Sequence, residues 1–208
     1  PIIGCEVYVS PTNRFDKSIR DRYHLILLAE NKQGYQNLMK IVSSSWLEGF
    51  YYKPRVDKDL LYEHREGLIA LSGCLQGEVS QSILNNQNEK QIKEIIQEYR
   101  QIFGEENYFL EIMDHNLSKE KKVSSALIKI ANDEDIPLIV SNDVHYQSKD
   151  DAKVHDVLLA LQTGKTVNDE NRLTFPNDHF YFKSSLEMFK LFPDIREAYK
   201  NTLRISNR

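Results

Sequence analysis

Cysteine is nearly absent. Two residues, Cys5 and Cys74, in a chain of 208 cannot build a disulfide framework, so the reducing cytosol is the default compartment. No stretch of eighteen apolar residues occurs, which argues against a membrane span. An excess of positive charge is missing as well: 27 Lys and Arg against 31 Asp and Glu leave a net charge of −4. A chain with that balance does not wrap nucleic acid by bulk attraction. It stays compatible with a metal site that meets a phosphodiester, because the ions bring their own local positive charge. There is no internal repeat, no low-complexity segment and no visible signal peptide. The first residue is Pro1, followed at once by a strand-like run, so the chain is expected to continue upstream.

What is present is an ordinary soluble composition, 40 % hydrophobic and 28 % charged, in a length that suits one large or two small domains. Strand-like and helix-like runs alternate. Strands are predicted at 2–9, 23–29, 68–72, 108–112 and 138–141. Helices are predicted at 31–46, 57–66, 78–84, 89–103, 118–132 and 150–162, with two more within 184–207 broken at Pro193. In the first helix Tyr35, Leu38, Met39, Val42 and Trp46 fall at helical spacing. Repeated βα units imply a parallel sheet with helical crossovers, either a barrel or a doubly wound sheet. The polar loop 166–177 is the expected handover from a core domain to a helical tail.

The segment Leu138-Ile139-Val140-Ser141-Asn142-Asp143-Val144-His145 carries the sharpest signal. An apolar run ends abruptly in Asn-Asp-x-His, the pattern of a buried parallel strand presenting polar groups at its C-terminal end, where α/β barrels keep their chemistry. On an extended backbone Asp143 and His145 point the same way, and a carboxylate beside an imidazole suits Zn, Mn or Fe. The alternative is a hydrogen-bonded pair that caps the next helix. Other polar groups sit on the remaining strands or at their ends: Glu6, His24, Cys74, Glu111, Asp114 and His115. Singly they read as a core histidine, a small buried thiol and salt-bridge partners. On neighbouring parallel strands they would converge on one rim as a multinuclear metal site.

These stretches resemble the PHP (polymerase and histidinol phosphatase) domain of bacterial C-family replicative DNA polymerases, the DNA polymerase III alpha subunits. The matching segments are Pro-Ile-Ile-Gly-Cys-Glu-Val-Tyr at 1–8, His-Leu-Ile-Leu-Leu-Ala at 24–29 and Gly-Tyr-Gln-Asn-Leu-Met-Lys at 34–40. They continue with Glu-Gly-Phe-Tyr-Tyr-Lys-Pro-Arg at 48–55, Gly-Leu-Ile-Ala-Leu-Ser-Gly-Cys-Leu at 67–75 and Ser-Asn-Asp-Val-His-Tyr at 141–146. The last is His-Asp-Val-Leu-Leu-Ala-Leu-Gln-Thr-Gly-Lys at 155–165. Asn-Asp-x-His is shared widely among PHP hydrolases, whereas the segments at 48–55 and 161–165 look particular to the polymerases.

The resemblance implies a distorted (β/α)7 TIM-like barrel over 1–165, N-terminally truncated, with a helical extension over 166–208 that leads towards a polymerase palm. It implies metal ligands at Glu6, His24, Cys74, Asp143 and His145, binding Zn or Mn. Glu6 would bridge two ions, His24 and Cys74 would be terminal, and Asp143 and His145 would hold or share a third. A further His-x-His pair would lie before Pro1, and the palm aspartates that use Mg for polymerisation beyond Arg208. The implied activity of an intact site is metal-assisted phosphoester hydrolysis, as in a 3′–5′ exonuclease. The implied partners are DNA, the proofreading subunit and the sliding clamp. Two other readings compete: a stand-alone phosphoesterase acting on a small phosphate ester, and a metal-free scaffold that buttresses the polymerase.

Among the remaining residues, Lys53 and Arg55 flank Pro54 on a loop suited to contact a nucleic-acid phosphate, or to form a solvated turn. Trp46, Phe50, Tyr51 and Tyr52 suit stacking on a base or, alternatively, a core or domain interface. Gly164-Lys165-Thr166 resembles the end of a P-loop but lacks the upstream glycine.

Overall fold

Alternation along the first two strands separates the two faces of the sheet. In the computed structural model, which describes residues Pro1–Arg208, Ile3–Val9 (β1) and Tyr23–Ala29 (β2) pair antiparallel, with Tyr8 opposite His24 and Glu6 opposite Ile26. Successive side chains in a strand point to opposite faces. Val7, Val9, Leu25 and Leu27 therefore enter the larger core. Ile26 and Leu28 pack on the other face against a second, smaller cluster.

The chain continues through Lys32–Leu47 (α1), Arg55–Val56 (β3), Lys58–Glu63 (α2), Leu68–Leu71 (β4), Glu78–Leu84 (α3) and Glu89–Phe103 (α4). Tyr108–Ile112 (β5), Ser118–Glu134 (α5) and Leu138–Val140 (β6) follow, then a short 3-10 turn at Lys149–Asp151. Ala152–Gln162 (α6), Ser185–Leu191 (α7) and Arg196–Ser206 (α8) complete it. The strands form one mixed sheet in the order β3-β1-β2-β4-β5-β6. The pairs β4–β5 and β5–β6 are parallel, as anticipated, and so is β1–β3, whose short strand β3 falls where a loop was expected. The expectation of a wholly parallel sheet fails at β2, which runs antiparallel to both β1 and β4. The cause is local. A parallel neighbour needs a long crossover, usually a helix, and the connection 10–22 contains none.

Helix starts are set by side-chain caps. Asn31 accepts from Gly34 N at 3.0 Å at the start of α1. Asn88 and Gln91 form a reciprocal capping box on α4, which satisfies two otherwise orphaned donors. The buried stripe of α4 is Ile92, Ile96, Tyr99, Ile102 and Phe103. The face expected for α1 needs correction. Leu38 is buried, but Tyr35, Met39 and Trp46 are exposed, and Gly34, Asn37, Ile41 and Ser45 face inward. Backbone contact explains the rotation. A Cβ added at Gly34 would lie 1.7 Å from Gly67 O, so the helix presses its bare backbone onto the turn before β4. Asn37 Nδ2 then reaches Glu66 O at 2.9 Å.

The larger core lies between the sheet and the helices α1–α5. On the other face Ile69, Leu71, Phe109 and Ile139 meet Ile205 of α8. Helix α8 packs along β6, with Asn201 Nδ2 donating to Leu138 O at 2.9 Å. Beyond it, Arg208 pairs with Glu30 at 2.7 Å. No helix is long and apolar enough to cross a membrane.

Candidate metal centre

The smaller face of the sheet ends in polar groups at one rim. Glu6 and His24 share that face of the β1–β2 pair, and Glu6 Oε1 lies 3.2 Å from His24 Nδ1. After β4 the chain turns at Gly73, whose φ is +81° and whose added Cβ would sit 2.7 Å from His24 O. A side chain there would be strained and would push the two segments apart. The turn brings Cys74 Sγ to 3.6 Å from the same His24 Nδ1. The donor atoms of Glu6, His24 and Cys74 all lie within 4.8 Å of one another. The ring of Tyr8 rests on His24 at 5.0 Å between centroids. An oxygen, a nitrogen and a sulfur donor at these separations suit a tetrahedral ion with bonds of about 2.0–2.3 Å.

Two further acids surround this trio. Glu111 lies in the fully buried strand β5 at 7 % exposure, where Oε2 accepts from Gly73 N at 3.1 Å. Burial pushes its carboxyl up to about 7, and the negative charges of Asp143 and Glu6 push the same way. Burial likewise pushes the Cys74 thiol up to about 12, helped by Asp143, Glu6 and Glu111. Neither Glu6 nor Glu111 has a Lys or Arg partner within 4.0 Å. The hydroxyl of Ser141, just past the end of β6, is buried beside Glu111 and opposes the upward push on its carboxyl. Acids with no lysine or arginine paired to them are a setting that a divalent ion would relieve.

Glu111 supplies a test through linkage. Its folded pKa is raised above 4.5, so between pH 4.5 and about 7 the folded protein holds a proton that the unfolded chain has released. Stability from this group is therefore present below pH 4.5 and lost as pH rises through 7. In metal-stripped protein, Glu111→Gln should melt above the wild type at pH 8, with the gap closing at pH 5. A gap independent of pH would reject this account.

The geometry expected at Asp143 and His145 is corrected. Strand β6 stops at Val140, and Asp143 adopts φ +37°, so the two side chains do not alternate along an extended backbone. His145 Nδ1 instead meets Asp143 O at 2.7 Å, with Asp143 Oδ1 at 4.0 Å. The imidazole packs against Phe175 at 4.6 Å and His155 at 5.7 Å. Three of the five candidate ligands thus meet as a group. The charge of Asp143 reaches Cys74 and Glu111, while His145 stands in an aromatic cluster. The loop is held from the segment 177–183: Lys183 Nζ donates to Asn142 Oδ1 at 2.8 Å, and Asn142 Nδ2 to Tyr181 O at 2.7 Å. His115 is fully buried, with Nδ1 2.8 Å from Glu120 and Nε2 2.9 Å from Asn142 O.

Arg55 is not a surface phosphate contact. It is 0 % exposed, and its guanidinium donates to Gly49 O, Ile19 O, Arg14 O and Asp16 O. Lys53 remains exposed. Trp46, Phe50 and Tyr52 nearby are exposed too, while Tyr51 is half-buried. Trp46 stacks on Phe50 at 5.4 Å, and Tyr52 lies under the Arg20 guanidinium at 3.9 Å. Glu111 belongs to the polar groups expected at the rim but not to the five ligands that the resemblance implies, and taken singly it reads as a salt-bridge acid. The available signal was an acid in a strand whose other residues are all apolar or aromatic.

The family model for the PHP domain matches residues 1–115. The whole chain aligns with DNA polymerase III subunit alpha of Treponema pallidum at 49 % identity over 211 residues. With the subunit of the same name from Borreliella burgdorferi the identity is 42 % over 212 residues, and with that of Helicobacter pylori strain 26695 it is 42 % over 219 residues. The chain spans 18 % of the length of each of these relatives.

Proposed function

This chain belongs to the PHP domain family, and from that membership we propose that it is the PHP portion of a bacterial DNA polymerase III alpha subunit acting in DNA replication. The full-length similarity to three proteins of that name supports the reading. In it, the mixed sheet and its helices are part of a distorted (β/α)7 barrel, and the whole subunit is a cytoplasmic DNA-directed DNA polymerase that uses Mg at a centre outside this chain. Its partners are DNA, the proofreading subunit and the sliding clamp.

Within the subunit we assign the rim a metal-dependent phosphoesterase role, as in 3′–5′ exonuclease action. The observation that carries it is the meeting of Glu6, His24 and Cys74 within 4.8 Å beside two further acids. Glu6, His24 and Cys74 would hold one ion, with Cys74 ionised when it binds. Asp143, with His145 behind it, would serve a neighbouring position. Bound divalent ions supply Lewis acidity and offset the charge that gathers on a phosphoryl group. Glu111, held by Gly73 N, fixes the turn that presents Cys74.

The test uses the full-length protein. Metal content by plasma mass spectrometry and release of nucleotides from the 3′ end of single-stranded DNA should both fall in Asp143→Ala. Unchanged metal and unchanged release in that variant would reject the assignment. A scaffold role also has support, from the exposed apolar side chains Val154, Leu158 and Leu161 on α6. Such a patch suits packing against the rest of a larger subunit.

A further inference from the structure

Arg22 immediately precedes β2 and lies beside the face that carries Glu6, Tyr8 and His24. Its guanidinium carbon sits 5.2 Å from the centre of the Tyr8 ring, and that ring rests 5.0 Å from His24. Arg22, Tyr8, His24 and Glu6 therefore form a row from the lip of the sheet to the candidate metal centre. Beside the row opens a cleft of about 470 Å³, walled by Asp21, Arg22, Tyr23, His24, Gln76, Gln81 and Asn85.

The wall is polar and under-partnered. Arg22 pairs with no carboxylate within 4.0 Å: its Nη1 reaches only Arg20 O, at 3.5 Å, and its Nε is buried with no acceptor. Gln81 spends its amide nitrogen on Leu75 O and keeps its oxygen free. An arginine with no carboxylate partner and a buried, unpartnered Nε is open to an anion from outside. A guanidinium fork matches phosphate oxygens, and flat amides match the edges of a nucleobase.

We propose that this cleft binds a nucleotide, with Arg22 on its phosphate and the amides of Gln76, Gln81 and Asn85 on its base and sugar. The proposal deepens the phosphoesterase reading and rests on it for the nature of the substrate. Arg22 sets the phosphate at the rim next to Glu6 and His24, and the side-chain amides distinguish a nucleotide from a bare phosphate.

The experiment is calorimetric binding of dTMP and of inorganic phosphate to the full-length protein, metal-loaded and metal-stripped, with metal content measured in parallel. Arg22→Gln should weaken both ligands about tenfold or more without changing metal content, and Arg22→Lys should recover part of the loss. Asn85→Ala should weaken dTMP and leave inorganic phosphate at the wild-type value. Wild-type protein that fails to bind dTMP at millimolar concentration overturns the proposal, as does dTMP affinity untouched by Arg22→Gln. The two readings separate cleanly. Protein that takes up no metal yet shows Arg22-dependent dTMP binding rejects the metal centre and supports the cleft. Metal-loaded protein indifferent to Arg22→Gln does the reverse.

Discussion

Replacing His24 by alanine is expected to lower the zinc affinity of the full-length protein about a hundredfold or more. Its Nδ1 lies 3.2 Å from Glu6 Oε1 and 3.6 Å from Cys74 Sγ, so the substitution leaves an oxygen and a sulfur without the donor between them. A pH dependence accompanies this. The Cys74 thiol, pushed up to about 12 by burial first and nearby acids second, is protonated at neutral pH, and a metal must displace that proton to bind. Wild-type affinity should then rise about tenfold per pH unit between roughly pH 7 and 9, and Cys74→Ser should flatten the rise. Competition with a chromophoric chelator measures both. A wild-type affinity that does not change with pH would remove Cys74 from the site.

The second large effect is structural. Arg55→Ala is expected to cost about 3–5 kcal/mol of stability, because four carbonyl oxygens lose a charged donor inside the protein. The four come from 14, 16, 19 and 49, so one side chain ties the long connection between β1 and β2 to the end of α1. Released, the connection 10–22 should become the first site of tryptic cleavage, since it carries Arg14, Lys17, Arg20 and Arg22. Arg55→Lys should recover little, because a point charge cannot serve four acceptors spread around a planar fork. Thermal melts and limited proteolysis of the full-length protein decide it. A midpoint within about 2 °C of wild type, with the loop still resistant, would show that water replaces the guanidinium without loss.

Local signals were legible where one element carries its own message. The strands Tyr23–Ala29 and Tyr108–Ile112 and the helices Glu78–Leu84 and Glu89–Phe103 have the bounds that periodicity and caps predict. Other predicted ends differ by a few residues at most, as at Ser72 and Ser141, which still donate to Phe109 O and Ile112 O just past the ends of β4 and β6. What was hidden depends on partners distant in sequence. The direction of β2 follows from the helix-free connection 10–22 and not from its own residues. The face of α1 follows from contact with Gly67, which no hydrophobic spacing within the helix records. Arg55 beside a proline reads as a loop residue until the carbonyls that surround it are in place.

The candidate site divides in the same way. Glu6, His24 and Cys74 lie on or just after strands that neighbour one another, so their meeting could be anticipated once the strands were found. Asp143 and His145 follow a strand that ends before them, and their placement is decided by Asn142, Lys183 and Tyr181. The short spacing of Asp-x-His carried no information about that clamp. Glu111 was visible as a residue, but its buried and cation-free setting comes from three other elements.

Helix α8 sets an order of events during synthesis. Its Ile205 seals the cluster formed by Ile69, Leu71, Phe109 and Ile139, so the ribosome delivers all six strands before the helix that covers this face of the sheet. Until then the nascent chain carries an open greasy surface, and its closing contacts join residues far apart in sequence, as in the ion pair between Arg208 and Glu30. Contacts of that span slow folding and lengthen exposure to aggregation.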